Sequence, residues 1–217
     1  LLEYDRFEWR TIVFSQKIPA PVSIPEIQQA IEGRTTILMH PEQQWIPYQP
    51  ETLRQYPFLH LEMCGAPPPL SLLEQLHWRD FFNTGGTLYL DACNQTPEKL
   101  HAWKQWGQSI YPETKWEAMN QSHVLSFSFY LLKKQMLLSR EGSPIYLLDN
   151  DGRFILILNA QSQWSFEQFK KSHVTRDFNE PPDEIRLRVY INLLMYLLTG
   201  DYKSDQLHLP TILLRRK

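Results

Sequence analysis

Two strand-like runs, each followed at once by a capped helix, constrain this chain more than any other feature. The runs are YPFLHLEMC (Tyr56–Cys64) and TLYLDA (Thr87–Ala92). Between them, PPPLSLLEQLHWRDFFNTGG opens with three prolines and carries Ser71 and Glu74 at capping-box spacing. Its apolar positions are Leu72, Leu73, Leu76 and Phe81 or Phe82, and it stops at Gly85-Gly86. After the second run, TPEKLHAWKQWGQSI has Thr96 as N-cap, Pro97 in the first helical position and Glu98 in the first turn. Strand, helix, strand, helix with short links predicts a βαβ crossover and a parallel sheet.

The remaining elements are read around that centre. FEWRTIVF (Phe7–Phe14) is rich in β-formers and reads as a first strand. Ser23, Pro25 and Glu26 suggest a second capping box, opening a short helix to about Gly33. RTTILMH is extended, and QPETLRQ is a helical turn or loop. SPIYLLDNDGRFILILN predicts two strands joined at Asp149–Gly152. The polar stretch from Gln161 to Pro182 reads as a long loop with a short helix. Asp183 then caps EIRLRVYINLLMYLLTG, apolar nearly all round in its second half and so expected to be buried on several sides. The tail from Gln206 is extended with a basic end. With no repeat or linker visible, residues 1–217 are expected to form a single α/β domain.

Composition closes several functional classes. The net charge of −2 gives no basic surplus for a nucleic-acid partner. Two cysteines are too few for a disulfide framework or a multi-cysteine zinc module. No apolar run approaches the ~20 residues that span a membrane. GxGxxG, P-loop, HExxH and CxxC patterns are absent from the sequence, so neither a cofactor nor a metal is expected. The chain starts at Leu1, and an upstream signal peptide or anchor is an expectation.

Ligands of open α/β sheets bind beyond the carboxyl ends of the strands. Those ends carry Glu62, Cys64, Asp91, Cys93 and Asn94. Two carboxylates on strands that should be apolar break the pattern of central parallel strands, and such breaches tend to mark functional or strained sites. The plainer reading has Glu62 and Asp91 in solvated loops. Cys93 precedes a helix N-terminus, which favours a thiolate. A catalytic set would be Cys93 as nucleophile, His123 as base and Asp91 as orienter. No glycines flank Cys93 as in a tight nucleophile elbow. If the two strands are neighbours, Cys64 and Cys93 could instead approach the ~5–6 Å that a disulfide wants. His60 with Glu62, or Asp91 with His123, have metal-ligand chemistry, but a hydrogen-bonded core histidine is the simpler assignment.

The C-terminal run RVYINLLMYLLTGDYKSDQLHLPTILLRRK resembles the ending of a bacterial family, domain-of-unknown-function family 4159. The marks are Asn192 in the apolar helix, Tyr202-Lys203, Asp205-Gln206, and His208 before a proline. YPFLHLEMCG, HWRDFFNTGGTLYLDA and SHVLSFSFYLL resemble further family segments, which carries over Asp91, His123 and Tyr130. The resemblance implies a three-layer α/β sandwich, flavodoxin-like and similar to class I glutamine amidotransferases, with helices on both faces. Those enzymes place a glycine-flanked Cys near the position of Cys93. Here Asp91-Ala92-Cys93-Asn94-Gln95 departs from the elbow. The resemblance also implies an extracytoplasmic location.

Two functions follow as expectations. The first is a non-catalytic binding or interaction module, whose crevice of Glu62, Asp91, Asn94 and His123 takes a small polar ligand or a protein partner. The second is a hydrolase or amidase using Cys93 and His123.

Overall fold

A computed structural model describes residues 6–15, 17–93, 96–120, 123–132, 145–150, 152–161, 165–167 and 184–199. The strands are β1 (Arg10–Val13), β2 (Val22–Ser23), β3 (Glu42–Pro47), β4 (Phe58–Met63), β5 (Thr87–Ala92), β6 (Trp116–Ala118), β7 (Ile145–Asn150) and β8 (Arg153–Asn159). The helices are α1 (Pro25–Glu32), α2 (Pro50–Gln55), α3 (Leu72–Asn83), α4 (Pro97–Ile110) and α5, helical over 184–199. All eight strands join one sheet in the order β2-β3-β1-β4-β5-β8-β7-β6. Its centre, β3, β1, β4, β5 and β8, is parallel, and β2 and β7 are antiparallel to their neighbours.

Period-two alternation gives each central strand two apolar faces, because helices cover both. On one face Trp9, Phe58, Tyr89 and Ile157 meet Ile27 and Ile31 of α1 and Leu187, Tyr190 and Leu194 of α5. On the other, Ile12, Leu59, Leu61, Leu88, Leu90, Leu156 and Leu158 meet Leu53 of α2, Trp78, Phe81 and Phe82 of α3, and Trp103 and Trp106 of α4. The result is an α/β fold with a mostly parallel sheet between two helical layers. Among the described residues no helix is long and apolar enough to cross a membrane.

Local signals explain the best-formed elements. The Ser71–Glu74 capping box is present, and the Thr96 hydroxyl accepts from the Lys99 N–H at 3.4 Å. Gly152, at φ 82°, turns the β7–β8 hairpin while its N–H donates to Asp149 Oδ1 at 2.9 Å. Gly107 lets α4 approach the sheet, since a Cβ there would stand 2.7 Å from Trp116 and 3.0 Å from Leu156.

Two expectations are corrected, and a strand is added in a segment that the sequence pattern left unassigned. The Ser23–Glu26 capping box does not form: Ser23 belongs to β2, and Ile24, which is buried, takes the N-cap position without a side-chain bond. The polar, proline-bounded segment EQQWIP is a strand, β3, inserted between β2 and β1. On α3 the buried stripe is Trp78, Phe81 and Phe82, while Leu72, Leu73 and Leu76 face outward, 80%, 61% and 59% exposed.

Candidate functional site

A chain of polar side chains crosses five adjacent strands on the α1/α5 face of the sheet. Gln43 of β3 donates from Nε2 to Thr11 Oγ1 of β1 at 2.7 Å. Thr11 Oγ1 lies 2.8 Å from His60 Nδ1 of β4, and His60 Nε2 lies 3.3 Å from Asp91 Oδ2 of β5. Asn159 of β8 donates from Nδ2 to Asp91 Oδ1 at 2.7 Å, and the Phe166 N–H donates to Asp91 Oδ2 at 2.5 Å. Register explains the reach: Thr11 pairs with His60, His60 pairs with Tyr89, and Asp91 lies two residues further along β5 on the same face.

All five side chains are buried, Asp91 at 1% exposure. Burying a carboxylate is costly unless donors replace its water. Here the imidazole, an amide and a backbone N–H do so. The His60 tautomer sets the proton order: a neutral imidazole with its Nε2–H directed at Asp91 leaves Nδ1 to accept the Thr11 hydroxyl proton, while Thr11 Oγ1 accepts from Gln43. Tyr89 extends the network through hydrogen bonds to Tyr190 and Asn159. Burial first, and the Asp91 carboxylate second, push both phenols well above the ordinary tyrosine value.

Hydroxyl, imidazole and carboxylate stand here in the order of an acyl-transfer triad. Their setting differs. Thr11 lies within a central strand, is 1% exposed, and its oxygen already accepts from Gln43. The imidazole is enclosed by the rings of Trp9, Phe166 and Tyr89, with centroids 5.3, 5.8 and 5.9 Å away. Trp9 and Phe166 stack at 4.0 Å, closing that face. A nucleophile needs space for an incoming carbonyl, and this hydroxyl has none. The chain ties five strands together and orders them.

The expected Cys93–His123–Asp91 set is not assembled. Cys93 is disulfide-bonded to Cys64, with their Cα atoms 4.6 Å apart. His123 packs on the ring of Phe154, with Nε2 4.0 Å from Glu117 Oε2. Leu88 pairs with Leu156, so Phe154 is level with Gly86 at the amino end of the sheet. From there to Asp91 is roughly 16 Å of strand, and Cys93 lies further still. Among the described residues the expected crevice does not form: Asp91 is covered by the protein's own groups, and His123 is at the opposite end of the sheet. Glu62 is half-buried, with Oε2 3.9 Å from Cys64 Sγ. Asn94 lies outside the described residues. Among the described residues no three His, Cys, Asp or Glu side chains converge as metal ligands.

Asn192 is placed inside α5, almost fully buried. Its Oδ1 accepts from the Tyr130 N–H at 2.7 Å, and its Nδ2 donates to the carbonyls of Tyr130 and Leu125, both at 2.8 Å. The remaining family marks, Tyr202, Lys203, Asp205, Gln206 and His208, lie outside the described residues. Sequence reasoning missed Thr11, Gln43 and Asn159. The available signal was a buried polar residue on each strand, one that shows only once strand order is known.

A search of curated proteins finds no match to this chain. A family model described as a domain of unknown function, DUF4159, matches residues 15–198 and therefore takes in β4, β5, β8, the disulfide and Asn192, but not the C-terminal tail. By that match over most of its length, the chain belongs to the DUF4159 family.

Proposed function

We propose that this chain is a non-catalytic interaction module, a single α/β domain with an amidotransferase-like sheet, acting outside the cytoplasm. The observation that carries the reading is a contrast at the carboxyl edge of the sheet. The groups with chemistry, Asp91, His60 and Cys93, are turned inward or bonded to the protein itself. The first turns of the following helix, α3, instead hold Leu72, Leu73 and Leu76 out to solvent. Apolar side chains grouped on a capped helix suit a partner surface. The disulfide supports an oxidising compartment, where such bonds persist.

The test is a photo-crosslinking residue at Leu73 in the cell of origin, with Lys99 of α4 as the control position. The expected result is a discrete heavier adduct from position 73 alone. No adduct, or identical adducts from both positions, contradicts the reading. The hydrolase alternative with Cys93 and His123 has its own readout. Cysteine- and hydroxyl-directed electrophiles should leave the oxidised protein unlabelled, and labelling of Cys93 or Thr11 would favour catalysis.

A further inference from the structure

The two edges of the sheet are finished differently. At one, β3 stops at Pro47, and β2 pairs only with its first two residues and lies between Pro21 and Pro25. Prolines blunt an edge, because they cannot donate to an added strand. The other edge is β6, which among the described residues pairs with β7 alone. From Thr114 to Met119 it carries no proline, and Lys115, Glu117 and Ala118 are exposed.

Register shows what that edge offers. The Met119 N–H donates to the Ile145 carbonyl at 2.9 Å, and Glu117 lies opposite Leu147. Bonding residues alternate along an antiparallel strand, so Glu117 and Met119 turn their backbone groups to β7 while Trp116 and Ala118 turn theirs to the open edge. The Trp116 indole is held in the fold, its Nε1 donating to the Lys104 carbonyl at 3.0 Å. Lys115 and Glu117, two residues apart, share the other face of the strand. The Glu117 side chain is 67% exposed, with His123 Nε2 4.0 Å away.

A second copy of the chain complements this edge. Paired antiparallel about Trp116, each Trp116 N–H meets the Trp116 carbonyl of the other copy, and Lys115 of each falls opposite Glu117 of the other. Two-fold symmetry makes that pair twice, at positions where cross-strand side chains come closest. Centring the join on Glu117 would oppose two carboxylates. Centring it on Ala118 would set Glu117 against Met119 and leave both charges without a partner. Exposed ion pairs add little affinity, so the charges fix the register while the backbone bonds make the join.

We propose that β6 is a homodimer edge, at which two copies of this chain join antiparallel about Trp116 into one continuous sheet with Lys115 and Glu117 paired across the join. The interaction role above uses the exposed side of α3, a different element. The proposal therefore goes beyond that role, and its failure leaves the Leu73 crosslink unaffected.

The test is sedimentation equilibrium of the 217-residue chain up to about 100 µM, which populates a dimer of micromolar Kd. The native chain should dimerise, more weakly at high salt. Glu117→Lys and Lys115→Glu each set like charges across the join, and each should weaken the dimer by roughly tenfold or more while keeping the thermal midpoint. The double variant Lys115→Glu/Glu117→Lys restores opposite charges and should dimerise within about threefold of the native chain. As a second measurement on the native chain, carbodiimide should join the Lys115 amine of one copy to the Glu117 carboxylate of the other, in peptides that mix label when isotope-labelled and unlabelled protein are combined. A monomer throughout the range, a dimer indifferent to the single variants, no rescue by the double variant, or crosslinks between copies that exclude residues 115 and 117 overturns the proposal.

Discussion

Asn192 of α5 binds both backbone groups of Tyr130, accepting from its N–H at 2.7 Å and donating to its carbonyl at 2.8 Å. One side-chain amide thus does for Tyr130 what a neighbouring strand does in a sheet. An irregular segment against a buried helix needs such a partner, because its backbone cannot reach water. Asn192→Leu keeps the size and removes these two bonds together with the one to the Leu125 carbonyl. The expected cost is about 2 kcal/mol, with faster amide exchange at Tyr130. Exchange that matches the native protein would contradict the clamp.

The disulfide closes a loop of sequence separation 29 at the carboxyl edge. Denatured, non-reduced protein should show no free thiol from either cysteine. Cys64→Ser/Cys93→Ser should lose about 2–4 kcal/mol by the loop-entropy account. Two titratable thiols in protein matured in an oxidising compartment would contradict the pairing.

The two faces of α3 should respond in opposite ways. Leu73→Ser and Leu76→Ser are exposed changes, expected within about 0.5 kcal/mol of the native stability. Phe82→Ala, in the buried stripe beside Trp78, should cost about 3–5 kcal/mol. Equal costs on both faces would mean that α3 is rotated relative to the packing described above.

Acid should release the contact between Arg34, just beyond α1, and Glu184 of α5. Burial alone would raise the Glu184 carboxyl, but hydrogen bonds from Arg34 and Arg188 outweigh it and hold the group below its ordinary 4.5. The unfolded chain therefore takes up the proton first. The stabilisation is complete above that ordinary value and is lost as pH falls through the folded-state value. Urea midpoints measured from neutral to acid pH should converge for the native protein and Glu184→Gln. Parallel curves would show that the ion pair contributes nothing.

The elements written locally were legible in the sequence. Ser71 with Glu74 sets the start of α3, Thr96 with Pro97 that of α4, and Asp149 with Gly152 the β7–β8 turn. The reading failed where the decision is tertiary. Leu72, Leu73 and Leu76 have core-like identity, yet only the stripe at Trp78, Phe81 and Phe82 meets the sheet. β3 carries Gln43 and Gln44 between prolines, and it is a strand because its neighbours pair with it. Asp91 stood out as a carboxylate in an apolar run. That it serves Thr11, His60 and Asn159 depended on strand order, which no local pattern encodes.

Asp91 is a structural acceptor rather than a reacting group. Asp91→Asn keeps the shape but turns an amide N–H₂ towards donors that now meet a carboxylate. The direct measurement is urea unfolding of the native protein and this variant at neutral pH. The account predicts a loss of about 2 kcal/mol or more. A variant as stable as the native protein, or more stable, would mark Asp91 as a group kept for function at the expense of the fold, and would contradict the account.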